Sequence, residues 1–149
     1  MAHGADQQFL RMISDHHLGM IEMAHAAMHQ PGVSAEARSK AQEIDRKQHE
    51  EARQLAATFE RDFGDRHQPQ VTPDNRRMVE QVRQAQGATA DRTFYEQVIA
   101  HHQQGVQMIG EHLPHLAKPE VRQMAERMRD DQQREVGELQ QKVQSLATG

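Results

Sequence analysis

Residues 9–28 read "FLRMISDHHLGMIEMAHAAM" and residues 94–113 read "FYEQVIAHHQQGVQMIGEHL". The two stretches align without a gap: Phe9 falls on Phe94, His16-His17 on His101-His102, and Met23 on Met108. The likeness continues in "AQEIDRKQHEEARQLAATF" (41–59) and "AERMRDDQQREVGELQQKV" (125–143), with one residue lost at the turn between. There Ile44, Gln48, Glu51 and Leu55 match Met128, Gln132, Glu135 and Leu139. Self-similarity of this length marks two copies of one supersecondary unit.

Each copy reads as a helical hairpin. The first helix is predicted over 6–30, where Pro31-Gly32 breaks it. Ser34 can cap a second helix running to about residue 63. The loop "GDRHQPQVTP" (64–73) follows, and Thr72-Pro73 opens a short helix to about residue 86, with Pro at the tolerated first helical position. Gly87 breaks that helix. Thr89 is expected to cap a third long helix to about residue 116, and Pro119 to open the last, to about residue 146. No strand pattern competes. The prediction is all-α: an antiparallel four-helix bundle from two repeated hairpins (9–59 and 94–146), with a short extra helix in the crossover (64–93), all within one domain over 1–149.

Composition agrees. Hydrophobic residues make up 36% of the chain, below the usual share for a globular domain. Aromatics are 3%, too few for an ordinary sandwich or barrel. The net charge of −4, with mixed signs throughout, gives no basic footprint for nucleic acid. There is no cysteine, which removes disulfides, thiolate zinc sites, iron–sulfur clusters and thiol nucleophiles. No apolar run approaches the about 20 residues of a membrane span, and no signal peptide is read in the chain. The unusual counts are 9 Met and 11 His. Thioethers and imidazoles without thiols point toward soft or borderline metal ions.

A helical wheel at about 100° per residue sorts the histidines. In the first helix Phe9, Ile13, Met20, Ala24 and Ala27 define the inward side, which also takes His16, His17 and Met23. Arg11, Asp15, Glu22, His25 and His29 lie on the wet side. In the third long helix Phe94, Val98, Ile109 and Leu116 face inward, with His101, His102, Met108, His112 and His115 on the same stripe. A buried imidazole without a partner costs a few kcal/mol. Four inward histidines therefore need partners, which are either hydrogen-bonding groups or a metal. Adjacent residues on a helix diverge, so one His-His pair does not chelate an ion unaided and needs a donor from another helix. Met78, Met124 and Met128 read as core filler.

The "HHLGMIEMA" stretch (His16 to Ala24) resembles the HHxGxxxMA signature of the DUF305 family, and the second copy, the "GATADRTF" turn and the Gln-x-x-Glu pattern of helices two and four extend the likeness over nearly the whole chain. The second copy departs from it: Gly105 stands one position later than Gly19, and Ile109 replaces the usual small residue. The resemblance implies a ferritin-like bundle that is periplasmic, secreted or associated with the cell envelope, with the cytoplasm still open. It also implies copper or silver binding through Met and His in some members. Family members often carry a Met-rich crossover; here it holds only Met78.

The leading expectation is binding of copper, as Cu(I) with Cu(II) or Ag(I) as further forms, for storage, delivery or resistance. Zinc and iron are open to the same imidazoles. His16, His17, Met20 and Met23 would serve one half; His101, His102 and Met108, with His112 nearby, the other. Met12 is a weaker candidate. The partner is a metal ion, with no nucleic acid and no membrane span, and a homodimer is an open option. One alternative is a structural or interaction bundle whose histidines hold a polar core network. Another is a ferritin-like di-iron oxidase, which needs Glu and Glu-x-x-His on inward faces. Glu22-Met-Ala-His25 is the one match, on the outer face, and its counterparts are Gln107 and Gly110; a hemerythrin-like site fails similarly for lack of inward carboxylates, with Glu135 and Glu138 left open. No enzyme is expected. Met1-Ala2-His3 could wrap Cu(II) if its amine is free; a disordered tail is the simpler reading.

Overall fold

The computed structural model describes residues 4–148, so the Met1-Ala2-His3 motif lies outside the described residues. Five α-helices follow one another: α1 (Gly4–Met28), α2 (Ala35–Phe63), α3 (Pro73–Gln84), α4 (Ala90–His112) and α5 (Pro119–Thr148), with 3-10 turns at Gly87–Thr89 and Leu113–His115. Among the described residues there is no strand. α2 packs along α1, α5 along α4, α1 against α4, and α3 lies over α1 and α4. The four long helices are the antiparallel bundle that the repeat predicts.

Local chemistry sets the helix ends. The Ser34 hydroxyl accepts from the Ala37 amide at 3.1 Å, and Thr72 Oγ1 accepts from the Asn75 amide at 3.2 Å, each satisfying a free first-turn donor. Gly64 ends α2 in the left-handed conformation, φ 65°, with its N–H on the Glu60 carbonyl, the conformation in which glycine has no Cβ penalty. Gln30, just past α1, shares its side-chain amide among the Val82, Arg83 and Ala85 carbonyls, which have no helical partner at the end of α3.

Three expectations need correction. Thr89 caps nothing with its side chain; its hydroxyl donates to the Gln86 carbonyl at 2.8 Å, and a 3-10 turn leads into α4. α4 ends at His112 rather than near residue 116, because Pro114 supplies no N–H and cannot continue the ladder. His115 consequently leaves the helical stripe and is exposed. Smaller shifts place the ends of α1 and α3 two residues earlier than expected.

Two apolar clusters fill the bundle. One gathers Met20, Met23, Ile44, Val79, Phe94, Val98 and Leu139. The other gathers Phe9, Ile13, Leu55, Phe59, Ile109, Val121 and Met128. Every long helix contributes to both, and between the two contributions each helix places its polar repeat positions. Along the outer seam α2 and α5 are joined by Glu36–Lys142, Lys40–Glu138, Lys47–Asp131 and Arg61–Glu120. Such solvent-facing pairs contribute little each, so the bundle is held by its interior.

At one end Asp6, fully buried, accepts from the backbone amides of Ala117 and Lys118 at 2.7 and 2.9 Å. One carboxylate thus ties the start of α1 to the turn before α5. We expect Asp6→Ala to lower stability by about 2–3 kcal/mol, since it strands two amides and removes a charged acceptor. Urea unfolding measures it, and Asp6→Asn should recover part of the loss.

Candidate functional site

The repeat puts His16, His17, His101 and His102 at one level of the bundle, between the apolar clusters, and all four are buried. His16 and His101 stack face to face, ring centroids 3.6 Å apart at 18°. Each Nε2 donates to the other residue's backbone carbonyl, His16 to His101 O at 3.0 Å and His101 to His16 O at 2.9 Å. A helical carbonyl has a second lone pair for this. The bonds fix the tautomer: both rings carry the proton on Nε2.

The outer members of each pair face carboxylates at matching repeat positions. His17 reaches Glu51 through Nε2 at 3.1 Å and the Ile13 carbonyl through Nδ1 at 2.9 Å. His102 donates from Nε2 to Glu135 at 2.6 Å. Gln48 and Gln132, one turn before the two glutamates, are buried in the same layer. A cavity of about 10 Å³ opens on it, bordered by Gln48, Glu51, His102, Gln132 and Glu135. These glutamines and glutamates are the functional candidates that the wheel of the histidine helices missed. Their signal was present as Gln-x-x-Glu in helices two and four.

Burial shapes the charge of the layer. Burial first, then the neighbouring His17, pushes His16 down to about 3. Burial, with His16 and His102 close by, holds His101 well below its ordinary value. Burial on its own would raise Glu135, but the His102 bond, aided by Lys40 and Lys47, brings its carboxyl below the ordinary range. Glu135 is therefore a carboxylate acceptor. Both Nδ1 atoms of His101 and His102 are buried with no hydrogen-bond partner, as is Gln132 Oε1.

The sulfur donors are distributed differently. Met20 and Met23 are fully buried in the cluster with Phe94 and Val98. Met108 packs, half-buried, against the opposite cluster. His112 is half-buried; its Nδ1 bonds the Met108 carbonyl at 2.9 Å and its ring lies against Phe9. The structure thus brings together the four paired histidines, with Met20 and Met23 on one side of them and Met108 and His112 on the other. Glu22 is half-buried and His25 exposed on the outer side of α1, away from the layer.

Glycines let the helices approach here. A Cβ on Gly19 would meet Asn75 Cβ at 2.8 Å, so Gly19 seats α3 on α1. A Cβ on Gly105 would collide with Gln132 Oε1 and meet His16 Nε2 at 3.0 Å. The one-residue offset between the two glycines follows: Gly19 serves the crossover helix, Gly105 the histidine layer.

The class is therefore an all-helical bundle of two repeated hairpins with a buried histidine layer. The sequence profile of DUF305, a domain of unknown function, matches residues 6–143, and the chain belongs to that family. A DUF305 fragment from Deinococcus radiodurans is 25% identical, superposes with a TM-score of 0.82, and the match covers 95% of this chain and 97% of that one. CopM in its Cu(II)-bound and Cu(I)-bound forms is 25% identical with a TM-score of 0.79, over 94% of this chain and 96% of CopM. Its Ag-bound form is 26% identical with a TM-score of 0.76 over the same shares. No curated protein sequence matches significantly.

Two outcomes are expected. His16 and His101 take up protons in the unfolded chain near the ordinary 6.5 but in the folded protein only far below it. Their contribution is complete above about pH 6.5 and is lost as pH falls. Metal-free protein should lose up to about 1.4 kcal/mol per pH unit for each ring as it is acidified, measured by urea unfolding between pH 7.5 and 4.5; His16→Gln/His101→Gln should flatten the slope. Gly105→Ala should cost about 1–3 kcal/mol through overpacking, read from the same urea midpoints.

Proposed function

We propose that this protein binds copper as cargo, holding Cu(I), or Ag(I) in its place, at the central histidine layer, for storage, delivery or resistance rather than catalysis. The observation that carries the reading is the pair of buried, unpartnered Nδ1 atoms of His101 and His102. Their Nε2 protons are committed to a carbonyl and a carboxylate, so the free lone pairs are those a metal takes. A ligating histidine typically donates its other ring N–H to such a partner, which orients it and raises its basicity. Imidazole accepts Cu(I), and thioethers favour it, so the residues fit the ion. His101 and His102 would be the primary donors, with His16 and His17 across the layer and Met20 and Met23 as the buried thioether candidates on α1; Met108 and His112 pack toward the opposite cluster. The copper- and silver-bound forms of CopM support the same reading.

A second reading has its own observation. The reciprocal His16–His101 bonds satisfy both Nε2 atoms without any ion, which suits a polar network that holds helix register. The absence of cysteine suits an extracytoplasmic setting, which we also propose.

The two readings separate in an anaerobic Cu(I) titration against a chromogenic chelator. Wild type should take up Cu(I). His101→Ala/His102→Ala should weaken uptake at least a hundredfold, and Glu135→Gln by about 10–100-fold through loss of the orienting carboxylate. Met20→Leu/Met23→Leu, which conserves volume and fold, should weaken Cu(I) and Ag(I) together. No uptake by folded wild type, or unchanged uptake by the histidine variant, overturns the copper reading.

A further inference from the structure

Away from the layer, three donors meet at the outer face of the first hairpin. His25 on α1 and His49 on α2 both direct Nε2 at the same oxygen of Asp45, at 2.8 and 3.3 Å. Asp45 and His49 are four residues apart on α2 and share a face; His25 reaches them from α1. The three ligand atoms all lie within 4.8 Å of one another, and among the described residues this is the group of three His, Asp or Glu side chains that converges in this way. Both imidazoles are 47% exposed and the carboxylate 19%, so the cluster is anchored on one side and open to solvent on the other. Asp45 Oδ1 is shielded from water yet has no hydrogen bond of acceptable geometry, although two imidazole nitrogens adjoin it. Shielded oxygens left in that condition are uncommon in folded proteins.

We propose that His25, Asp45 and His49 form a second metal site, for one borderline divalent cation, with Cu(II) preferred to Zn(II). The site shares no residue with the histidine layer and does not depend on the reading of that layer. Its spacing suits an ion: with bonds of about 2.0 Å, ligand atoms stand about 2.8 Å apart at a right angle and about 3.3 Å apart at the tetrahedral angle. Those are the separations of the two nitrogens from Asp45 Oδ1. Its donors suit a divalent ion as well. Two imidazoles and a carboxylate are a nitrogen–oxygen set without thioether, which favours Cu(II) and, by the usual order of affinities, ranks Zn(II) below it. Three protein ligands leave the solvent side for water or an external ligand. Because the donors come from α1 and α2, a bound ion clamps the first hairpin. Neither His25 nor Asp45 belongs to the repeat: their counterparts at the matching positions are Gly110 and Arg129, so the second hairpin has no equivalent site.

The test uses Cu(II) alone, then Zn(II) alone, on the full chain carrying His3→Ala, which removes any copper wrapped at the amino terminus. Calorimetry, Tm and the Cu(II) electron paramagnetic resonance spectrum are read. The parent should bind one Cu(II) with hyperfine splitting from nitrogen and a rise in Tm. His25→Ala/His49→Ala should lose that equivalent and the rise, and Asp45→Asn should weaken it at least tenfold. All three positions border solvent, so these variants keep the fold, and His115→Ala, an exposed imidazole elsewhere, should change nothing. The His101→Ala/His102→Ala variant should keep this Cu(II) equivalent while losing Cu(I), so the two sites fail separately. If the double variant at 25 and 49 binds Cu(II) and Zn(II) as the parent does, or the parent binds neither, the proposal is overturned.

Discussion

Two imidazoles that donate to each other's backbone carbonyls set the geometry of this bundle. His16 and His101 can stack at 3.6 Å and bond crosswise only if α1 and α4 cross at one register and one separation. That requirement places Gly105 against His16 and Gln132, because no side chain fits at that height. It also keeps these two rings neutral, since burial penalises an imidazolium there and the other imidazoles of the layer add to that penalty. The apolar clusters above and below then pack against a polar level whose position is fixed by hydrogen bonds, whereas apolar contacts alone are non-directional.

The outer histidines work differently from the inner ones. His17 and His102 turn away from the stack toward Glu51 and Glu135, on the helices that flank the central pair. Each hairpin thus carries one histidine facing the other hairpin and one facing its own second helix. This division of labour makes the layer a four-helix device and leaves bare nitrogens in the interior. A purely structural network has less use for unpartnered Nδ1 atoms, which is why they weigh toward a ligand.

Much of this was legible in the chain. The aligned His-His pairs and Gln-x-x-Glu positions defined the hairpins, and Ser34, Thr72 and Pro73 marked helix starts where they occur. The inward turn of His16, His17, His101 and His102 followed from periodicity alone, because Phe9, Ile13, Phe94 and Val98 fix the wheel. The failures have local causes. Thr89 lies in a 3-10 turn where its hydroxyl finds a carbonyl, and Pro114 diverts His115 from a stripe that an uninterrupted helix would have kept. The wheel also cannot say which helices meet. The glutamate partners of the histidines and the meeting of His25 with Asp45 and His49 depend on pairing between helices, which periodicity within one helix does not encode.

The central claim is that His16 and His101 are neutral imidazoles protonated at Nε2, and that the Nδ1 lone pairs of His101 and His102 are free for a metal. Nitrogen-15 chemical shifts of the histidine rings at neutral pH measure this most directly. The account predicts Nε2–H tautomers for His16, His101 and His102 in the metal-free protein, with the Nδ1 resonances of His101 and His102 moving on addition of Ag(I), a diamagnetic stand-in for Cu(I). Nδ1 protonation of any of those three rings, imidazolium at His16 or His101, or Nδ1 resonances of His101 and His102 indifferent to Ag(I) would contradict it.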